Sequence, residues 1–149
     1  MPESALAWDF AIEGGNFKQA GHISSTVKRR LKELGFDSRF IRRVAIASYE
    51  AEMNVVCHAH RGTFCFAINS GKVTIVVKDR GPGIEDIDLA MREGYSTASA
   101  EVREMGFGAG MGLSNMKRNA DILRIDSVVG QGTAVEMTIT LPASPEKSE

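Results

Sequence analysis

The run TAVEMTITL, residues 133–141, constrains the fold more than any other stretch of the chain. Val135, Met137, Ile139 and Leu141 fall on one face of a strand, and Ala134, Glu136, Thr138 and Thr140 on the other. Side chains alternate across a strand, so this one covers a core with its apolar face and keeps a more polar face opposite. Helices therefore pack on one side of the sheet only. The expected architecture is an α+β two-layer sandwich whose sheet is mixed and mostly antiparallel.

Periodicity and chain breakers supply the other elements. Leu6–Ile12 reads as a strand closed by Gly14-Gly15. Asn16 is placed to cap a helix in which Phe17, Ala20, Ser24, Val27, Leu31 and Leu34 recur at helical spacing, and Gly35 ends it. Asp37 or Ser38 then caps a second helix running to about His60, with Ile41, Val44, Ala45, Ser48, Val55 and Val56 on its buried side. Thr63–Asn69 and Lys72–Lys78 pair as a hairpin across Asn69-Ser70-Gly71. A short helix spans Asp86–Arg92. The Gly-rich stretch Gly94–Gly112 has no strong period and reads as a long functional loop. A helix follows at Met111–Asn119, then strands Ile122–Val128 and Thr133–Leu141. The division is one domain over 1–141 and a polar tail, 142–149, expected to be disordered.

Composition narrows the function. The net charge of -1 offers no basic surplus for nucleic acid. The first residues, MPESALAWDFAIEGG, do not form a signal peptide, and no run approaches the ~20 apolar residues of a membrane span. Two cysteines make no disulfide framework and suit a reducing compartment. The expectation is a cytoplasmic protein with neither nucleic acid nor membrane as partner.

The segment EAEMNVVCHAHRGTFC, Glu50 to Cys65, gathers acids, His and Cys in sixteen positions. A zinc site, an acid/base site and a helix face turned toward a ligand all have to be weighed. On a helix, residues four apart share a face, so Glu50, Asn54, His58 and Arg61 form one polar stripe. Glu52 points about 200° away from Glu50 and cannot work with it, which makes it a neutral control for Glu50. His60 diverges from His58 in the same way. Cys65 alternates with Phe64 and Phe66 and so faces away from the helices, and the loop-borne spacings that zinc prefers are absent. Zinc is disfavoured. The stripe itself fits either a solvated surface or a site.

Three glycine boxes follow. DRGPGI, Asp79–Ile84, ends the strand VTIVVK and holds a carboxylate, which only accepts hydrogen bonds, beside flexible backbone. A surface β-turn explains this box equally well. GFGAGMGL, Gly106–Leu113, sets four glycines before a helix whose free N–H groups attract phosphate. It matches neither the P-loop nor the dinucleotide fingerprint. GQGTAV, Gly130–Val135, turns tightly into a strand and by itself means little.

In order, E-x-x-x-N-x-x-x-H on a helix, DxGxG, GxGxGxG before a helix and GxGT resemble the N, G1, G2 and G3 boxes of the GHKL ATPases, the Bergerat fold. The resemblance covers roughly Phe10 to Leu141. Size, the piece EGYSTAS and the run GFGAGMGLSNMKRNAD are most similar to the anti-sigma-factor serine/threonine kinases of the RsbW, SpoIIAB and RsbT type. The resemblance implies ATP and Mg²⁺ as cofactors. It implies adenine recognition by Asp79 with help from Thr133, a base-pocket wall of Gly81, Gly83 and Ile84, backbone donors to the phosphates from Gly108, Gly110 and Gly112 with His58 nearby, and Met111 and Leu113 as further ATP-binding residues. Asn54 would ligate Mg²⁺, Glu50 would be the catalytic base, and Gly94–Met105 would be a lid. The implied partner is a STAS-domain antagonist protein, with a sigma factor and a homodimer mate open to test. An ATP-gated binding module with little catalysis is the competing function.

Overall fold

Strands from three parts of the described chain make one five-stranded sheet. The computed structural model describes residues 6–92 and 112–142. The expected lid, Gly108, Gly110, Met111 and most of the C-terminal tail therefore lie outside the described residues. The strands are β1 (Leu6–Glu13), β2 (Arg61–Asn69), β3 (Lys72–Arg80), β4 (Ile122–Val128) and β5 (Gly132–Thr140), in spatial order β1-β2-β3-β5-β4. Every described pairing is antiparallel, so the sheet is not mixed as expected but antiparallel throughout. Short reversals account for two of these pairings: the β2–β3 and β4–β5 connections are tight hairpins, which join only antiparallel strands. At the β2–β3 turn, Ser70 (φ 53°) and Gly71 (φ 78°) both take positive φ, the geometry that matches strand twist in a two-residue loop.

Among the described residues four helices accompany the sheet: α1 (His22–Glu33), α2 (Ser38–His58), the single turn α3 (Ile87–Ala90) and α4 (Gly112–Asn119). The alternation of β5 holds as expected. Val135, Met137 and Ile139 are buried with Phe64 and Phe66 of β2 and Val73, Ile75 and Val77 of β3. Val27 and Leu31 of α1, Phe40, Val44, Ala47, Ala51 and Val55 of α2, and Met116 of α4 complete this core. Trp8 stacks on Phe66 at 4.9 Å, and the Arg30 guanidinium lies 4.9 Å over the Trp8 ring, closing the core at the β1 edge.

Asp37 caps α2 as expected, its Oδ2 accepting from the N–H groups of Arg39 (3.0 Å) and Phe40 (3.2 Å). Gly35, at φ 85°, ends α1 in the left-handed conformation. Two boundaries differ from the sequence reading. Helix α2 stops at His58, so Arg61 opens β2 instead of extending the helical stripe. Helix α1 begins at His22, not after Asn16, and its N-cap is Gly21 at φ 91°. The cap is provided from far away: Glu52 of α2, 2% exposed, accepts from Gly21 N–H (3.1 Å) and Ile23 N–H (3.2 Å) through Oε2 and from Ser24 N–H (3.1 Å) through Oε1. A carboxylate suits the positive end of a helix, and one thirty residues away leaves no local signature. No described helix is long and apolar enough to cross a membrane.

Candidate functional site

Asp79 sits at the end of β3 in step with Val73, Ile75 and Val77, so it faces the helices. Its Oδ1 accepts from the Thr133 N–H at 3.1 Å, across to β5. Burial pushes the Asp79 carboxyl above the usual range, and the Thr133 N–H works against that rise. Beside it, Ser127 of β4 ties three segments together. Its Oγ accepts from Ile84 N–H (2.7 Å), donates to Gly132 O (3.2 Å) and lies 2.9 Å from Thr133 Oγ1. A hydroxyl has one proton, and Ser127 gives its own to Gly132. With that proton directed to Gly132 O, Thr133 is the donor to Ser127. The contact of Thr133 with Asp79 runs through backbone, not through the hydroxyl. Ser127 was missed in the sequence because a serine inside a strand carries no motif.

The glycines of these boxes allow backbones to meet. Gly81 N–H donates to Gln131 O at 3.1 Å, and a Cβ on Gly81 would come within 2.9 Å of Ala59 Cα at the end of α2. Gly83, at φ 78°, would place a Cβ 2.6 Å from Val128 O. A Cβ on Gly132 would drive into the carbonyl of Asp79. Gly132→Ala is accordingly expected to cost ~1–3 kcal/mol in overpacking. A urea midpoint unchanged from wild type would refute that close approach.

Helix α2 carries the rest of the site. Glu50, Asn54 and His58 follow one another at successive turns, all partly buried. Nine residues separate Glu50 from Ala59, about 14 Å along the axis at 1.5 Å per residue. At one end, Glu50 Oε1 lies 3.5 Å from the Cβ position of Gly112, the first residue of α4, and Oε2 accepts from Asn115 Nδ2 at 2.9 Å. At the other end, Ala59 meets Gly81 and hence the Asp79 turn. Asn54 lies between. Burial lowers the His58 pKa below its ordinary value, which favours a neutral imidazole at pH 7.

Helix α4 is fixed against α2 at both ends. Leu113 and Met116 enter the core, so Leu113 has a packing role whatever else it touches. Arg43 of α2 donates through Nε to Asn119 O (3.1 Å) and through Nη2 to Asp121 Oδ1 (3.2 Å). Asp121 Oδ2 accepts from Thr140 N–H at 2.7 Å, and that bond, aided by Arg43, holds its carboxyl below the usual range.

The remaining acids and thiols are spread elsewhere. Glu52 is spent on α1. Burial and the nearby Glu50 charge push the Cys57 thiol up to about 11, and Cys65 lies beside Asp9 on the sheet face turned from the helices. An open concavity of about 830 Å³ borders Lys78, Arg80, Asp126 and Ala134. These four alternate with the buried Val77 and Val135 on the outer face, and the same concavity is also lined by Asp79, Gly81, Gly132 and Thr133.

One layer thus presents the Asp79–Thr133 turn at one end and the Glu50–Asn115 pair at the other, beside the first residue of α4. Residues 16–139 match the family described as "Histidine kinase-like ATPase domain". The chain belongs to that family. Membership in the histidine kinase-like ATPases carries with it the use of ATP. Among curated relatives, the serine/threonine-protein kinase RsbT of Bacillus subtilis (strain 168) is 34% identical over 109 residues, 70% of this chain and 76% of that protein. The anti-sigma F factor of Thermoanaerobacter sp. (strain X514) is 37% identical over 103 residues, covering 66% of this chain and 68% of its own length. A solved structure of the RsbU and RsbW domains of a Mycobacterium tuberculosis protein superposes with a TM-score of 0.61 at 19% identity. It spans 94% of this chain and 33% of that one, and at this identity it shows the fold alone.

Proposed function

We propose that this histidine kinase-like ATPase is an ATP- and Mg²⁺-dependent serine/threonine protein kinase and anti-sigma regulatory factor in a partner-switching pathway, phosphorylating a STAS-domain antagonist. The proposal takes residues 1–141 as the working domain and the cytoplasm as its compartment. The observation that carries it is the placement of Glu50 about two and a half turns of α2 from the Asp79 turn and beside the start of α4. Nucleotide binding alone has no need of a carboxylate there.

The residues present fit the two cofactors. Asp79 keeps Oδ2 for the exocyclic amine of adenine while Thr133 N–H holds Oδ1, and Gly81, Gly83 and Ile84 flank that pocket. The N-terminus of α4 at Gly112, with Gly108, Gly110 and Met111 before it, offers backbone donors to phosphate. Among the described residues no three His, Cys, Asp or Glu side chains gather as a metal cage. Mg²⁺ would take one or two protein oxygens, here Asn54, with phosphate oxygens and water. When bound, the ion neutralises charge on the transferred phosphoryl group. Glu50 then orients the acceptor hydroxyl and takes its proton, while His58, neutral, completes the wall of the stripe.

A second reading, an ATP-gated binder of a sigma factor with little catalysis, draws support from the relatives named anti-sigma F factor. Incubation with radiolabelled ATP, Mg²⁺ and a STAS-domain protein from the same organism separates the two. Labelled STAS protein supports the kinase, and an unlabelled one supports the binder.

Asp79→Asn tests the nucleotide end. It puts an amide where a charge-assisted acceptor stood, at a loss of ~1.5–3 kcal/mol, or about 10- to 150-fold in ATP affinity. Calorimetry giving wild-type affinity for the variant would remove Asp79 from the site.

A further inference from the structure

We propose that Asn115 is a positioning residue for phosphate transfer, holding Oε2 of Glu50 so that Oε1 is the oxygen that receives the acceptor hydroxyl. This rests on the kinase reading of the site. The amide of Asn115 has only one workable orientation. Its Oδ1 accepts from Arg118 Nη1 at 3.0 Å, and a guanidinium can only donate. The NH₂ group is thereby turned to Glu50 Oε2, 2.9 Å away, and a carboxylate can only accept. Asn119 Nδ2 donates to the Asn115 carbonyl at 2.8 Å and steadies the same turn of α4. Arg43 and Asp121 clamp the C-terminal end of that helix to α2 and β5.

The two carboxylate oxygens of Glu50 are therefore unequal. Oε2 is committed to Asn115. Oε1 has no hydrogen-bond partner among the described residues and looks at Gly112, which has no side chain to cover it. In the transfer step the acceptor Ser or Thr hydroxyl gives its proton to Oε1, and its oxygen forms the new bond to the γ-phosphorus. The bond from γ-phosphorus to the bridging oxygen breaks, and its electron pair leaves with ADP. A carboxylate free to rotate would present either oxygen at varied angles, and misplacement of a reacting group by about 1 Å costs on the order of 10²-fold.

The test uses the full chain with Mg–ATP and a STAS-domain protein from the same organism that it phosphorylates. Asn115→Ala is expected to lower kcat about 10- to 100-fold with KM for ATP changed less than about twofold. In the Glu50→Gln background the same substitution should add less than about twofold, because its target is already gone. Wild-type kcat in Asn115→Ala, a loss seen only in KM, or a full additive loss in the double variant would each overturn the role. A wild-type chain that transfers no phosphate would overturn the kinase reading and this inference with it, whereas an active wild type with an indifferent Asn115 would overturn the inference alone.

Discussion

Glu50→Gln is expected to keep Mg–ATP affinity and lower phosphate transfer about 10²–10⁴-fold, the span of a lost general base. The substitution preserves the shape of the side chain, and Asn115 can still donate to the remaining Oε. What disappears is the proton acceptor beside Gly112. Because Glu50 is partly buried and holds one hydrogen bond to α4, folding should be little affected, so melting and ATP binding serve as internal controls. Single-turnover transfer to the STAS protein measures the effect. Full activity in Glu50→Gln would move the base elsewhere, and loss of ATP binding would make Glu50 a nucleotide ligand instead.

The same chemical change two residues later should have a different outcome. Glu52→Gln is expected to destabilise the fold by about 3 kcal/mol, from the ~1–3 kcal/mol for each buried donor left poorly satisfied. One of the two carboxylate oxygens becomes an NH₂ group facing backbone N–H groups of α1, a donor against donors. For a chain of this size the loss corresponds to a fall in Tm of roughly 6–12 °C. Read from sequence, Glu52 is the inert neighbour of Glu50, and a defect in its variant would count against the helix-face assignment. Its burial changes that inference: lower activity would follow from lower stability, and activity per folded molecule well below the melting transition is the proper comparison. An unchanged Tm in Glu52→Gln would show that the carboxylate does not cap α1.

Much of the fold was legible because it rests on local rules. Alternation in β5, positive-φ residues in the β2–β3 hairpin, the Asp37 cap and the Gly35 stop are each decided within a few residues, and each stands where expected. The boundary of α1 was not legible, since the stretch after Asn16 has helical spacing and its real cap belongs to another helix. The glycine boxes were visible as glycines, but Gly81, Gly83 and Gly132 are needed in part by neighbouring backbones that only the folded chain brings near.

The sequence alone determined the order of the boxes, the one-sided sheet and the family, because spacing along a helix or strand sets which side chains share a face. It also separated Glu50 from Glu52, since a rotation of about 100° per residue needs no tertiary information. Tertiary structure decided what each acid is used for. Glu52 meets the N-terminus of α1, and Glu50 meets Asn115 sixty-five residues away. It also decided that the Ser127 and Thr133 hydroxyls meet beside Asp79, one donating to the other. Partners so far apart in the chain are chosen by how helices and sheet pack, and no local pattern encodes that choice.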